Sequence, residues 1–301
     1  MLLLDQHFAG AQIAGARPYQ EDAQGFASLD SVVKDLDEIH EAILKDSEPE
    51  FSTLLVIVAD GMGGENAGDF ASRCVVGAFV DYCVRYERKE RTPAMLRSAM
   101  LVANDALASA IDDNPDLEGM GTTLLAIVVT EHSLYWVSVG DSPLYFYRDG
   151  VLSQINEDHS MMPLLLEQVE KGELKEQDIA KHEDRNVLRA AMMGEEIALV
   201  DCPLKAVSLM PGDIVIVASD GIQTLGEDAI KMRLDRHKNL TAEAITKKLL
   251  KAVVAEANPK QDNTSVNVIC IPSSAYELGA AEDEGSRTKT RLIRRGSSPS
   301  G

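Results

Sequence analysis

Leu54-Leu55-Val56-Ile57-Val58-Ala59-Asp60-Gly61 and Ile214-Val215-Ile216-Val217-Ala218-Ser219-Asp220-Gly221 are nearly the same pattern, a continuous apolar run that stops abruptly at Asp-Gly. Runs of this kind predict strands buried on both faces, so the fold has to cover each of them twice. An ionised carboxylate at the mouth of such a strand is costly unless something positive neutralises it. The glycine after it permits a sharp turn and brings a backbone carbonyl close. The two sites are 160 residues apart in the chain. Their likeness predicts that folding brings both carboxylates together around a hard cation.

The 301 residues suffice for one large domain or two modest ones, and a hydrophobic fraction of 45% supports a substantial core. A formal net charge of −20 argues against nucleic acid as a partner, because phosphate backbones are held by clustered Lys and Arg. The same charge disfavours an anionic membrane surface. Charge is uneven, however: residues 286–301 carry Arg287, Lys289, Arg291, Arg294 and Arg295 and no acid, so this end is +5 against −25 for the rest. Cys74, Cys83, Cys202 and Cys270 show no metal-ligand or CxxC spacing, which suits a reducing compartment. Met1 to Asp5 lacks a basic region followed by an apolar stretch, and no apolar run approaches the roughly 18 residues of a membrane span. The expected location is the cytoplasm.

Phe8 to Ala16 reads as a first strand. Residues 30–50 are acidic and read as a surface insertion with a short helix from Val32 to Leu44. Small and apolar residues from Ala67 to Tyr86 recur at helical spacing, and a second helix follows Pro93, with Leu96, Ala99, Met100, Ala103 and Leu107 on one face. The period then changes. Thr122–Val129, Ser133–Val139, Leu144–Arg148 and Val151–Ile155 predict consecutive strands, with Asp149-Gly150 as a hairpin turn. Residues 161–193 return to helical patterning. Strands are expected over about 198–207 and 213–219, helices over about 226–237 and 241–256, and a last strand over Ser265–Ile271. From Ser273 the chain is Ser-, Gly- and charge-rich and reads as a disordered tail. Strands and helix pairs come in blocks, which predicts α+β layering with antiparallel sheets inside and paired helices outside.

The carboxylates at element ends beside glycine or a polar turn are Glu21, Asp22, Asp60, Asp141, Asp220 and Asp262. No His or Cys cluster accompanies them. Oxygen-only ligation points to Mg²⁺ or Mn²⁺ rather than Zn²⁺. Two such ions sharing a water lower its pKa toward neutrality and make it a nucleophile for in-line attack on phosphorus. Arg17, four residues before Glu21, suits a phosphate-gripping role because its guanidinium holds two oxygens at once.

These features resemble the metal-dependent type 2C (PPM-family) protein serine/threonine phosphatases, bacterial branch. The matching motifs, in order, are Arg17-x-x-x-Glu21-Asp22, Val58-Ala59-Asp60-Gly61-Met62-Gly63-Gly64, Met120-Gly121-Thr122-Thr123, Val139-Gly140-Asp141-Ser142, Asp158-His159-Ser160, Ala218-Ser219-Asp220-Gly221 and Asp262-Asn263-Thr264-Ser265-Val266, spread over roughly residues 8–272. The resemblance implies a four-layer αββα sandwich over residues 1–272, followed by the tail 273–301. It implies that Asp60 bridges two ions, that the Gly61 carbonyl binds one, and that Asp220 and Asp262 ligate the second. Glu21 and Asp22 would hold ion-bound waters, Asp141 with Asp220 would form a third, weaker site, and Arg17 would bind the substrate phosphate. Residues 161–193 would be the flap that varies across the family and influences substrate choice.

Two positions depart from the family pattern. Met62 stands where eukaryotic members carry a His, which leaves the proton donor to the leaving group open; His159 is one stand-in, and a structural histidine is the other reading. Pro143 replaces the usual Arg after Gly-Asp-Ser. Gly121, Thr122 and Thr123 read as structural, packing close to the first Asp, and Trp136 as a sheet-core residue. The tail segment Arg294-Arg295-Gly296-Ser297 has the spacing of a basophilic kinase site, so a Ser/Thr kinase or its targets are candidate partners besides phosphoprotein substrates. The rival readings are a catalytically silent phosphatase-fold binding module and a phosphatase dedicated to a single regulatory partner.

Overall fold

A computed structural model of the chain describes residues 2–3, 6–29, 50–63, 67–85, 92–179 and 182–272. In chain order the elements are β1 (Leu2–Leu3), β2 (Phe8–Ile13), β3 (Asp22–Ser28), β4 (Glu50–Phe51), β5 (Leu54–Met62), α1 (Ala67–Arg85), α2 (Thr92–Asp113), β6 (Gly121–Thr122), β7 (Leu124–Val129), β8 (Ser133–Val139), β9 (Leu144–Arg148) and β10 (Val151–Gln154). They continue through α3 (Met162–Glu170), α4 (Glu176–Ile179), β11 (Val207–Ser208), β12 (Ile214–Ala218), α5 (Glu227–His237), α6 (Ala242–Ala255) and β13 (Thr264–Cys270). One sheet runs β10-β9-β12-β13-β2 and the other β11-β8-β7-β5-β3, with β6 paired to β5. Every ladder is antiparallel.

Three apolar layers separate four structural ones. Leu55, Ile57 and Ala59 of β5 pack with Val75, Phe79, Leu96 and Ala103 under α1 and α2. Ile214, Ile216 and Ala218 of β12 pack with Ile230, Leu234, Ile245 and Leu249 under α5 and α6. The alternate residues Leu54, Val56, Val58, Val215 and Val217 meet between the sheets, together with Phe8, Leu125 and Trp136. This is the αββα sandwich, and the two continuous apolar runs are its central strands, covered by a helix layer on one side and by the opposite sheet on the other.

The same alternation decides where the polar groups go. Side chains of one strand point to opposite faces by turns, so Asp60, after Leu54, Val56 and Val58, falls on the inter-sheet side. On β3 the corresponding positions are Asp22, Gln24 and Phe26, and Phe26 packs against the inter-sheet core. Beyond Val217 the next such position is Ser219, and on β13 it is shared by Ser265, Asn267 and Ile269. Asn267 Nδ2 donates to Gln24 Oε1 (3.1 Å), and Ser219 Oγ donates to Asp22 Oδ2 (2.7 Å). The inter-sheet layer is therefore apolar at one end and becomes polar toward the Asp-Gly turns.

Most element positions match the sequence reading, and the exceptions have physical reasons. β3 carries no apolar signal: its helix-facing residues are Ala23, Gly25 and Ala27, kept small because a Cβ at Gly25 would lie 2.9 Å from Val76 Cγ1 of α1. The helical pattern of 161–193 yields only α3, α4 and a 3₁₀ turn over Glu183–Asn186; the chain then runs on through bends and isolated bridges. The strand expected over 198–207 reduces to Val207–Ser208, because Asp201 spends its backbone bonds on Ser138 and Pro203 has no N–H to give. The helix expected after Pro93 is present as α2; it is long enough to cross a membrane and has a mean hydropathy of 1.2, and Met95, Leu96, Ala99, Met100, Ala103 and Leu107 are buried in the helix-side core. The helix expected within 32–44, Tyr86, Gly64 and the tail 273–301 lie outside the described residues.

Candidate metal centre

Asp22 and Asp60 are direct cross-strand partners in the β3–β5 ladder. Like charges set opposite each other destabilise a sheet, so this register requires either a proton or a cation. Asp220 enters from the other sheet, two residues after β12, and its charge adds to the repulsion felt by Asp60. Asp262 lies two residues before β13. Asp141 follows β8 of one sheet and precedes β9 of the other, at the point where the chain crosses between them.

The backbone around Asp60 is fixed from three directions. Its carbonyl accepts from the Thr122 hydroxyl (2.9 Å) and the Thr123 N–H (2.9 Å), and its own N–H donates to Thr123 Oγ1 (2.9 Å). Thr123 Oγ1 also lies 2.9 Å from Ser142 Oγ, which links the Asp60 turn to the residue after Asp141. On the other side the Glu21 carbonyl accepts from the Gly61 N–H (3.2 Å) and from Ser72 Oγ (2.6 Å). Asn263 organises the Arg17–Glu21 loop: its Oδ1 accepts the Glu21 N–H (2.7 Å), and its Nδ2 donates to the carbonyls of Ala14 and Tyr19 (both 2.9 Å). Thr122 and Thr123 are thus structural, as their sequence setting suggests. Ser142, Ser219 and Asn263 fall inside the motifs quoted above, but the sequence assigns them no role of their own, because their partners lie far away in the chain.

Burial is the first cause of an upward pKa shift at Glu21, Asp22, Asp60, Asp141 and Asp220. Asp60 is pushed well above the usual range, with Asp22, Asp220, Asp141 and Asp262 adding repulsion. Asp22 is raised against the lowering effect of its Ser219 and Ser265 hydrogen bonds. Asp220 is raised with Asp262 contributing, and Asp141 is pushed up to about 7 with Asp220 and Asp158 contributing. Glu21 is also raised by burial, with Arg17 opposing. Arg17 Nη2 stands 2.6 Å from Asp262 Oδ2, with side chains 49% and 35% exposed. A pair this exposed contributes roughly 0–1 kcal/mol, so it exchanges readily for another partner.

The donor set fits a hard divalent ion. All candidate groups are oxygens, and Asp22 Oδ1 and Asp220 Oδ1 are buried without a hydrogen-bond partner, an arrangement that a folded protein tolerates where an ion satisfies the acceptors. Among the described residues no group of three or more His, Cys, Asp or Glu side chains stands arranged to hold an ion by itself. Few protein ligands per ion suit Mg²⁺ or Mn²⁺, which keep several waters.

Raised carboxylate pKa values have a definite consequence for stability. The fold favours the protonated forms, so their contribution is fully present below the unfolded value, about 4, and is lost as pH rises through the folded values, with Asp141 titrating near 7. Divalent ions bind the ionised forms. In EDTA the melting temperature is expected to fall from pH 5 to pH 8, and the increment added by Mn²⁺ to grow across the same interval. Thermal melts with Mn²⁺ or EDTA at each pH check this, and a Mn²⁺ increment that does not change with pH would contradict it.

His159 is 2% exposed. Its Nδ1 accepts the Gly140 N–H at 3.2 Å, which places the ring proton on Nε2. Burial lowers its pKa, opposed mainly by Glu157.

An αββα sandwich with an acidic centre at the polar end of its inter-sheet layer is the architecture of one known phosphatase class. A family model for protein phosphatase 2C matches residues 42–261, and the chain belongs to that family. It is 36% identical over 168 residues to the serine/threonine protein phosphatase PstP of Mycobacterium tuberculosis, covering 56% of this chain and 31% of that protein. The match thus spans about a third of the length of the mycobacterial relative. It is 31% identical over 238 residues to the serine/threonine phosphatase stp of Listeria monocytogenes, covering 78% of this chain and 88% of that protein. Among solved structures it resembles the catalytic domain of a PstP serine/threonine protein phosphatase in complex with two manganese ions, at 25% identity and a TM-score of 0.65, over 87% of this chain and 96% of that one.

Proposed function

We propose that the chain is a Mn²⁺- or Mg²⁺-dependent phosphoprotein phosphatase that hydrolyses phosphoserine and phosphothreonine directly, with no phosphoenzyme intermediate. The observation that carries this reading is the set of buried, mutually repelling carboxylates, Asp22 and Asp60 from one sheet facing Asp220 from the other. Asp60, the Gly61 carbonyl, Asp220 and Asp262 would hold two ions, Asp141 with Asp220 a third, and Glu21 and Asp22 their waters. Bound there, the ions supply an activated water and neutralise charge on the transferring phosphoryl group.

The chain's own residues orient and enclose this centre. Thr122 and Thr123 fix Asp60, Ser219 fixes Asp22, and Asn263 fixes the loop that carries Arg17. Arg17, half-exposed beside Asp262, is placed to take up a substrate phosphate in exchange for that carboxylate. Residues 1–272 would form the catalytic domain, with 161–193 as flap. A cytoplasmic location fits the four free cysteines. Phosphoprotein substrates are supported by the names of the curated relatives, and a Ser/Thr kinase or its targets are the partners we favour.

Hydrolysis of a small aryl phosphate tests the reading. Turnover is expected with Mn²⁺ and none with EDTA, and Arg17→Ala is expected to raise KM about tenfold, the loss of one charge-assisted contact, with a smaller effect on kcat. Folded protein without metal-dependent turnover would favour a silent binding module instead.

A further inference from the structure

The last part of the flap and the chain that follows it are stitched to the candidate metal centre at three points: Leu188 bridges Ser160, Met192 bridges Thr122, and Asp201 bridges Ser138. His159 sits at the first joint. Its carbonyl accepts the Arg189 N–H of the returning chain (2.7 Å), and its own N–H donates to the Gly140 carbonyl (3.1 Å). The ring then closes a second bond to the same glycine, Gly140 N–H to Nδ1 at 3.2 Å. Gly140 has φ +104°, and a Cβ there would lie 2.6 Å from Thr123 Cγ2, so the turn into Asp141 is pressed between Thr123 and His159. The far nitrogen, Nε2, is buried without a hydrogen-bond partner; Glu157 Oε2 is 3.8 Å away.

We infer that His159 is a positioning residue for the Asp141 site: through Nδ1 and its backbone it fixes the Gly140–Asp141 turn and ties that turn to the returning flap chain at Arg189. This rests on the reading of Asp141 as an ion ligand given above. The bonding leaves Nδ1 as an acceptor engaged with the backbone, and the work asked of the ring is to hold a turn, with no proton delivered to a leaving group.

Isosteric replacement separates these roles. Asparagine places an acceptor oxygen near the position of Nδ1, whereas glutamine places one near Nε2. Mn²⁺ binding is measured by titration calorimetry on the full chain and on His159→Asn, His159→Gln and Asp141→Ala. Asp141→Ala is expected to lose the weaker class of Mn²⁺ sites. His159→Gln is expected to weaken that class about tenfold, the usual cost of removing a group that orients a ligand, while His159→Asn restores it to within a factor of two or three. The pH profile of aryl phosphate hydrolysis is expected to keep its shape in His159→Asn. Equal loss in the Asn and Gln variants, or no loss in either, overturns the positioning role, and a lost limb of the pH profile in His159→Asn assigns proton transfer instead. Wild-type-like Mn²⁺ binding by Asp141→Ala removes the site itself and the inference with it. Absence of Mn²⁺ binding by the unmodified chain overturns the metal-dependent reading as well.

Discussion

Asp220→Ala is expected to lower metal-dependent phosphate hydrolysis by about a thousandfold or more, equivalent to about 4 kcal/mol of lost stabilisation of the reacting phosphoryl group. Asp60→Ala should be at least as severe. The same substitutions should have the opposite effect on the metal-free fold. Burial raises the pKa of both Asp220 and Asp60, with repulsion from Asp262 adding at Asp220 and from Asp22 and Asp220 at Asp60, so at pH 8 ionising them costs stability, and alanine at 220 removes its own cost and one source of repulsion at Asp60. In EDTA at pH 8 the Asp220→Ala protein is expected to melt a few degrees above the wild type, whereas in saturating Mn²⁺ the order should reverse. Paired melts and rate measurements on the two proteins decide the matter. An Asp220→Ala protein with near-normal turnover would remove the two-ion assignment, and one less stable than wild type in EDTA would show that the carboxylates are not in electrostatic conflict.

Gly61→Ala is the second large effect, and it acts through packing. A Cβ at residue 61 would lie 2.0 Å from the Gly68 carbonyl oxygen, 2.4 Å from its carbon and 2.7 Å from the Glu21 oxygen. All three are backbone atoms, and the strand is hydrogen-bonded to β3, β6 and β7, so no flexible side chain is available to yield. Overpacking of this kind costs about 3 kcal/mol. Gly77, sixteen residues on in α1, is the internal comparison: a Cβ there meets nothing within 4 Å, and Gly77→Ala should stabilise by about 0.5–1 kcal/mol through helix propensity. Urea unfolding of both variants would show midpoints moving in opposite directions with the slope preserved. A neutral Gly61→Ala would mean that the start of α1 can withdraw from the strand.

The parts of the molecule legible in the sequence are those where one face or both faces are strongly apolar. β5 and β12 announce themselves as unbroken runs, and their Asp-Gly ends expose the conflict between burial and charge that marks the centre. α2 and α6 show the same clarity on one face. β3 is silent because its two faces hide it in different ways, with small residues under α1 and Asp22, Gln24 and Phe26 on the inter-sheet side. The hydrogen-bonding partners of the carboxylates are silent for a further reason. Ser219 reaches Asp22 across 197 positions and Asn263 reaches Glu21 across 242, and no local pattern encodes a contact made only by tertiary folding. The Arg17–Asp262 pair is of the same kind: each residue suggests a role alone, but only the fold shows that they answer each other. The return chain from 187 to 201 lacks periodicity because it makes isolated bridges, one to each of three different segments.

The placement of Asp60 on one sheet and Asp220 on the other has a mechanical meaning. The two sheets meet through side chains over most of their overlap, but at this end the opposing faces carry negative charge and push apart. An ion bound between Asp60 and Asp220, as proposed above, would act as a rivet, drawing together jaws that otherwise repel. The spacing of the jaws would then fix how far apart the ligating oxygens stand, and the ion would in turn fix the spacing of the jaws. Cohesion of the sandwich and geometry of the chemistry are therefore one variable, and neither can be tuned without moving the other.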